Sequence, residues 1–300
     1  QREIIKNYKG NIMTLESDVS LDGIVFFNEQ WHDGSKPIMS ALAQSFMHGT
    51  TVFDGARFYK GCAPDLEYHF ARLLTSIEVM GLQVNIDINS MIDITKEGVK
   101  KFKSSDDLYI RPSVFATGGF LIPNRESSKF VMSIFKAPMP TLNGWKTCLA
   151  WQRRPNPEMA PTMAKASCLY PNTAIAMREA FNRGFDNAII RDGDGNIAEF
   201  ASANLWIVKN NCAITPVWNG SFLNGITKAR VSKLLRNNGI DVIDKILTYE
   251  DVLNADEVFS TGNYGKVVPV TKVDHVDYGL GSITTKAIDS YAKYAEGSKL

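Results

Sequence analysis

The chain has 300 residues, more than one hydrophobic core usually supports, which sets an expectation of about two domains. Its 44% apolar and 22% charged composition excludes a disordered chain, and 33 Lys+Arg against 32 Asp+Glu leave a formal charge of +1, too even for a nucleic-acid-binding field. The four cysteines (Cys62, Cys148, Cys168, Cys212) form no CxxC pair and read as reduced thiols of a cytoplasmic protein, the opening QREIIKNYKGN lacks the apolar run of a signal peptide, and no stretch reaches the roughly 18 apolar residues of a membrane helix.

In chain order, IVFF and NEQW (24–31) predict a hairpin turned at Asn28. Leu66, Phe70, Leu73, Leu74, Ile77 and Met80 fall on one face of a helix. Asp65 is expected to cap its start and Gly81 to follow its end. A second helix is expected over about 90–102, with Lys100, Lys101 and Lys103 at the negative end of its dipole. Strands follow at 108–115 (LYIRPSVF) and 130–135 (FVMSIF). APMPTLNG (137–144) has two prolines, an asparagine and a glycine and no periodicity, so it reads as a linker. It divides an N-terminal α/β domain (1–137) from a C-terminal domain (145–300), with 138–144 between them.

The second half begins with a strand near 146–151 and a helix from Pro171, at its first position, to Arg183 before Gly184. A hairpin, NAIIRDGDGNIAEF, runs on into ANLWIV. A helix opens at NGIT (224–227), strands lie near 256–260 and 267–273, and a last helix starts near Ser282. Asp192-Gly-Asp194-Gly-Asn196 imitates the start of a calcium loop, but the twelfth position is Ala203 where a bidentate Glu is needed, so a polar hairpin turn is expected. Gly279-Leu-Gly281-Ser-Ile-Thr284 lacks the third glycine of a dinucleotide fingerprint. His32, His48, His69 and His275 have no ligand spacing, and no metal centre is expected.

Lys165 lies in MAPTMAKASCLYPN among Met159, Met163, Ala164 and Ala166. Burial there would lower its pKa and supply the neutral amine that a Schiff base with an aldehyde requires; the other reading is a surface lysine. Tyr170 follows five residues later, and around the pair stand VFDGAR (52–57), HFARL (69–73), YIRP (109–112), EFASANLWIV (199–208), NGITKAR (224–230) and STGN (260–263). In order and spacing these motifs resemble the fold-type IV pyridoxal-phosphate enzymes, and closely the branched-chain amino-acid aminotransferases, over about residues 20–275.

The resemblance implies an α/β fold (α+β domains) in which a small N-terminal α/β domain and a larger C-terminal domain with a barrel-like β core hold pyridoxal 5′-phosphate between them. It makes Lys165 the Schiff-base residue, sets Glu199 opposite the pyridine nitrogen and gives Tyr170 the cofactor phenolate oxygen. Arg72, the N–H groups of Ile226 and Thr227, and Gly262 with Asn263 would surround the phosphate; Asn263 stands where the family usually has threonine. Tyr109 and Arg111 alternate along a strand and so share a face. The resemblance assigns Tyr109 to the substrate α-carboxylate, Arg111 to the distal carboxylate of glutamate and Phe53 to an apolar wall. A structural salt bridge is the other reading of Arg111. His48, a tyrosine in the enteric-type enzymes, and Tyr264, bulkier than the usual residue, complete the substrate set. The implied reaction is transamination of branched-chain L-amino acids (Leu, Ile, Val) with 2-oxoglutarate, in a homodimer or larger assembly. A D-amino-acid or R-amine transaminase, or an aminodeoxychorismate-lyase-like enzyme, would share Lys165 and Glu199, and a vestigial cofactor-binding scaffold is the reading outside catalysis.

Overall fold

The computed structural model describes residues 22–140 and 143–300; the opening segment read for a signal peptide, and Thr141 and Leu142 of the expected linker, lie outside them. The strands of the first half form one antiparallel sheet: β1 (Gly23–Phe27), β2 (Gln30–Asp33), β3 (Val52–Phe53), β4 (Ala56–Phe58), β5 (Leu108–Ala116) and β6 (Ser128–Lys136). Their order is β2-β1-β6-β5-β3, with β4 also on β5. The expected first hairpin is present, turned by Asn28 and Glu29 at φ 50° and 62°, a backbone that asparagine tolerates. A short helix, α1 (Gln44–His48), precedes β3, and two longer ones, α2 (Leu66–Val79) and α3 (Ile88–Val99), cover one face of the sheet. The apolar stripe of α2 meets the inward residues of β5: Phe70, Leu73 and Ile77 pack with Leu108 and Ile110 in one core.

The strands from residue 145 onward form a nine-stranded sheet. It comprises β7 (Trp145–Arg153), β8 (Asn187–Arg191), β9 (Ile197–Phe200), β10 (Asn204–Lys209), β11 (Cys212–Pro216), β12 (Val242–Lys245), β13 (Glu257–Gly262), β14 (Lys266–Val273) and β15 (Val276–Asp277). Its order is β12-β11-β10-β13-β14-β7-β8-β9, with β15 also on β14, and β9, at one end, touches β10 and β11 near the other, curling the sheet toward a barrel. Ile189, Leu205, Ile207, Val258 and Val270 fill the inside of the curl. Outside it, Trp206, Val208 and Phe259 pack against α5 (Ile226–Asn237) and α7 (Ser282–Glu296). β10 is therefore apolar on both faces, as the unbroken run LWIV requires. α4 (Tyr170–Asn182) lies on β7 and β8 through Ala176 and Ala180, and α6 (Tyr249–Leu253) is a single capped turn. Among the described residues no helix is long and apolar enough to cross a membrane.

One expected cap is corrected. Asp65 precedes α2 at φ 61° and caps nothing with its side chain. Its Oδ1 instead accepts from Arg230 Nε of α5 (3.0 Å) and Tyr294 Oη of α7 (2.9 Å), so a residue of the first half is locked into the second. The Asp192 turn is as expected: its Oδ1 accepts from the backbone N–H groups of Asp194 (3.0 Å) and Asn196 (2.9 Å).

Candidate active site

A cavity of about 510 Å³ opens between the two sheets. Lys165 enters it because of what its neighbours do. Ala164 and Ala166 are fully buried in the core of the first sheet, and alternation turns the lysine side chain away from them. The backbone of Lys165 is fixed on both sides: its N–H donates to Ser76 Oγ of α2 (3.0 Å), and its carbonyl accepts from Phe53 N–H of β3 (3.1 Å). The burial expected of this segment is not found. Lys165 is half-buried and Met159 and Met163 are exposed, because the segment forms a cavity rim and not a core strand. Nζ lies 2.6 Å from Tyr170 Oη and 5.0 Å from the Phe53 ring.

Glu199, on β9, is 7% exposed and lines the cavity. Its Oε1 meets Arg154 Nη2 at 2.9 Å and its Oε2 accepts from Asn204 Nδ2 at 3.3 Å. Burial raises its pKa, against the opposing pull of Arg154, Lys165 and Lys228.

A third group of lining residues offers N–H donors to the cavity. Ile226 and Thr227 begin α5 after Gly225, which offers no side-chain cap, so their N–H groups remain available at the positive end of the helix. Asn263 Nδ2 is buried without a protein partner among the described residues, and Gly262 adjoins it on the wall. Arg72 also lines the cavity, with the Nε–Nη2 edge of its guanidinium engaged by Asp54. Asp54 accepts from Nε (2.7 Å) and Nη2 (2.9 Å), because a fully buried carboxylate is costly without a partner. Asp54 also faces His69 Nδ1 at 2.8 Å. Against its own burial, Arg72 and His69 hold the Asp54 carboxyl far below the usual range, and Asp54 in turn raises Arg72.

On the opposite wall Tyr109 and Arg111 share a face of β5, as alternation predicts. No salt bridge to Arg111 is found among the described residues; its guanidinium lies over the Phe53 ring at 3.9 Å. Gly55 passes so close beneath Tyr109 Oη that any side chain there would collide with the phenol. Tyr264 joins the wall. His48 does not: it sits at the end of α1 with its ring edge-on to Phe120 at 5.8 Å.

Asp54, Arg57, His69 and Arg154 were not singled out from the sequence. Arg57 is fully buried behind Tyr109, with Nε and Nη1 lacking protein partners among the described residues. A signal existed for His69, since HFARL spaces it one helical turn from Arg72.

The sequence matches the family profile amino-transferase class IV over residues 51–273. A solved aminotransferase from Brucella abortus bound to the cofactor PLP superposes with a TM-score of 0.90 at 40% identity, covering 91% of this chain and 99% of its own. The branched-chain-amino-acid aminotransferase of Pseudomonas aeruginosa is 29% identical over 294 residues, 92% of this chain and 94% of that protein. The Escherichia coli branched-chain amino acid aminotransferase structure gives a TM-score of 0.86 at 26% identity over 92% of this chain and 96% of its own.

Proposed function

Because the chain belongs to the class IV amino-transferase family, whose cofactor is pyridoxal phosphate, we propose that it transfers the amino group of L-leucine, L-isoleucine or L-valine to 2-oxoglutarate. The observation that carries this reading is the wall where the Arg111 guanidinium lies over the Phe53 ring. One pocket then offers an apolar ring to an aliphatic side chain and a cation to the distal carboxylate of glutamate. The relatives named as branched-chain aminotransferases support the same substrate class.

The donor set fits the cofactor. Lys165 would hold its aldehyde carbon and Tyr170 its phenolate oxygen, with Glu199 at the ring nitrogen. The N–H groups of Ile226 and Thr227, with the unpartnered Asn263 amide, would receive the phosphate, and Arg72 adds positive charge behind them. When bound, pyridoxal phosphate supplies an aldehyde that condenses with amines and a protonated ring that withdraws electrons from the substrate α-carbon. Lys165 Nζ would hold the cofactor and is placed to move the proton at the substrate α-carbon. The Tyr170 hydroxyl, 2.6 Å from Nζ, orients that amine. Tyr109 receives the α-carboxylate, and Arg111 with Phe53 sorts the side chains. The two sheets with their helices support the reading of two domains, one ending near residue 137 and the other starting near residue 145.

A donor screen with 2-oxoglutarate tests the substrate reading. L-leucine is expected to exceed D-alanine and an R-amine by at least about a hundredfold, the scale at which one site discriminates by buried charge and shape. Preferred turnover of D-alanine or of the amine overturns it. Arg111→Met is expected to raise the KM for 2-oxoglutarate about thirtyfold, roughly 2 kcal/mol for one charge-assisted contact, while L-leucine KM moves less than threefold. Equal losses for both substrates would remove the dual role of that wall.

A homodimer is part of the same proposal. Phe46 of α1 and the neighbouring Phe120, Leu121 and Ile122 are 65–80% exposed, an apolar surface of the kind that pairs with a second copy. Light scattering is expected to give twice the chain mass; a monomer at micromolar concentration overturns this.

A further inference from the structure

Asn263 and Lys266 bracket the turn by which β13 returns as β14, where Gly262 pairs with Lys266. Lys266 is unusual in three respects. It is 4% exposed, it adopts φ 61° although it is not a glycine, and its Nζ turns back to donate to Asn263 Oδ1 at 2.8 Å. An amide has one accepting end and one donating end, whereas a lysine ammonium only donates. With Oδ1 engaged by Lys266, Nδ2 must face away from it. Nδ2 is buried and has no protein partner among the described residues, and Asn263 lies on the cofactor cavity wall.

We propose that Lys266 is a positioning residue: it fixes the Asn263 amide so that Nδ2 donates to the cofactor phosphate, and it adds positive charge behind that contact. The inference rests on the phosphate role given above to Asn263. It also accounts for the departure at this position. A threonine hydroxyl, usual in the family, rotates to suit its acceptor and needs no partner to orient it, whereas an asparagine amide presents the wrong end when flipped. Asn263 and Lys266 therefore act as a pair.

The charge is conditional. Burial, and then the positive charge of Arg57 on β4, pull Lys266 down to about 7, with Asp65 at the start of α2 opposing them. His69 of α2 also faces it, and the Tyr291 ring of α7 lies 5.9 Å from Nζ. A phosphate dianion nearby favours the ammonium form. Phosphate binding then takes up a proton at pH values above about 7, and affinity falls as pH rises through that range.

The test is calorimetric titration of the full chain, stripped of cofactor, with pyridoxamine 5′-phosphate, a probe that cannot condense with Lys165. At pH 7, Lys266→Met is expected to weaken binding about tenfold, the scale of one charge-assisted hydrogen bond. Lys266→Gln keeps a donor for Asn263 Oδ1 without the charge. It should match the wild type at pH 9 and fall behind it about tenfold at pH 6.5. In an Asn263→Thr background, Lys266→Met should cost less than it does beside Asn263 and no more than Lys266→Gln, since the hydroxyl needs no orienting partner and only the charge is lost. Wild-type affinity in Lys266→Met, an unchanged pH profile in Lys266→Gln, or the same loss in the Asn263→Thr background overturns the proposal. Unchanged affinity in Asn263→Ala instead removes the phosphate role beneath it, and leaves the substrate reading to the donor screen.

Discussion

Lys165→Ala is expected to lower turnover by at least about 10⁴-fold, the combined scale of losing a nucleophilic amine and a general base. The visible absorbance of the lysine-bound cofactor should vanish from the purified protein. Among the described residues no other lysine stands on the cavity wall to replace it. Lys228 faces Asp244 at 3.2 Å, and Lys266 is turned onto Asn263. The fold should survive, because Ala164 and Ala166 supply the buried packing and the Ser76 and Phe53 hydrogen bonds use only the Lys165 backbone. An absorption spectrum, a steady-state assay and far-ultraviolet circular dichroism check these expectations. A folded variant retaining the absorbance and more than a hundredth of the rate would remove Lys165 from the chemistry.

The elements were legible because their signals are local. The stripe of α2, the alternation of β5 and the uniformly apolar β10 each follow from which faces are covered, and the structure covers those faces. Lys165, Glu199, Tyr170 and the start of α5 were legible as motifs, and the structure gathers them on one cavity. Their electrostatic partners were not. Arg154 reaches Glu199 from the end of β7, and Arg230 reaches Asp65 across 165 positions of chain, pairings that depend on the curl of a sheet and leave no trace in spacing. For the same reason the Asp65 cap failed: the carboxylate had a stronger partner in a distant guanidinium than in its own helix start. The partner of Arg72 was not legible either: Asp54, fully buried one residue beyond Phe53, accepts from its Nε and Nη2. Burial at Lys165 was inferred from apolar neighbours, but two of those, Met159 and Met163, face outward.

The Arg154–Glu199 pair makes the second large effect predictable in sign. Glu199 must balance two cations if it faces a protonated ring nitrogen, the nitrogen itself and the Arg154 guanidinium 2.9 Å away. Its burial and raised pKa give it the proton affinity that a strong charge-assisted hydrogen bond to that nitrogen needs. Glu199→Gln keeps the shape and removes the negative charge, so Arg154 is left uncompensated and disfavours the protonated ring. We expect kcat to fall about 10²–10³-fold, the scale of losing one preorganised electrostatic contact. Cofactor retention should change little, since Lys165, Arg72 and the start of α5 are untouched. Deuterium at the leucine α-carbon should then slow the variant more than the wild type, because removal of that proton becomes the limiting step. Adding Arg154→Gln relieves the repulsion and is expected to recover part of the rate, an outcome that damage to packing alone would not produce. An unchanged kcat in Glu199→Gln, or a double variant slower than the single one, would detach this pair from the ring nitrogen.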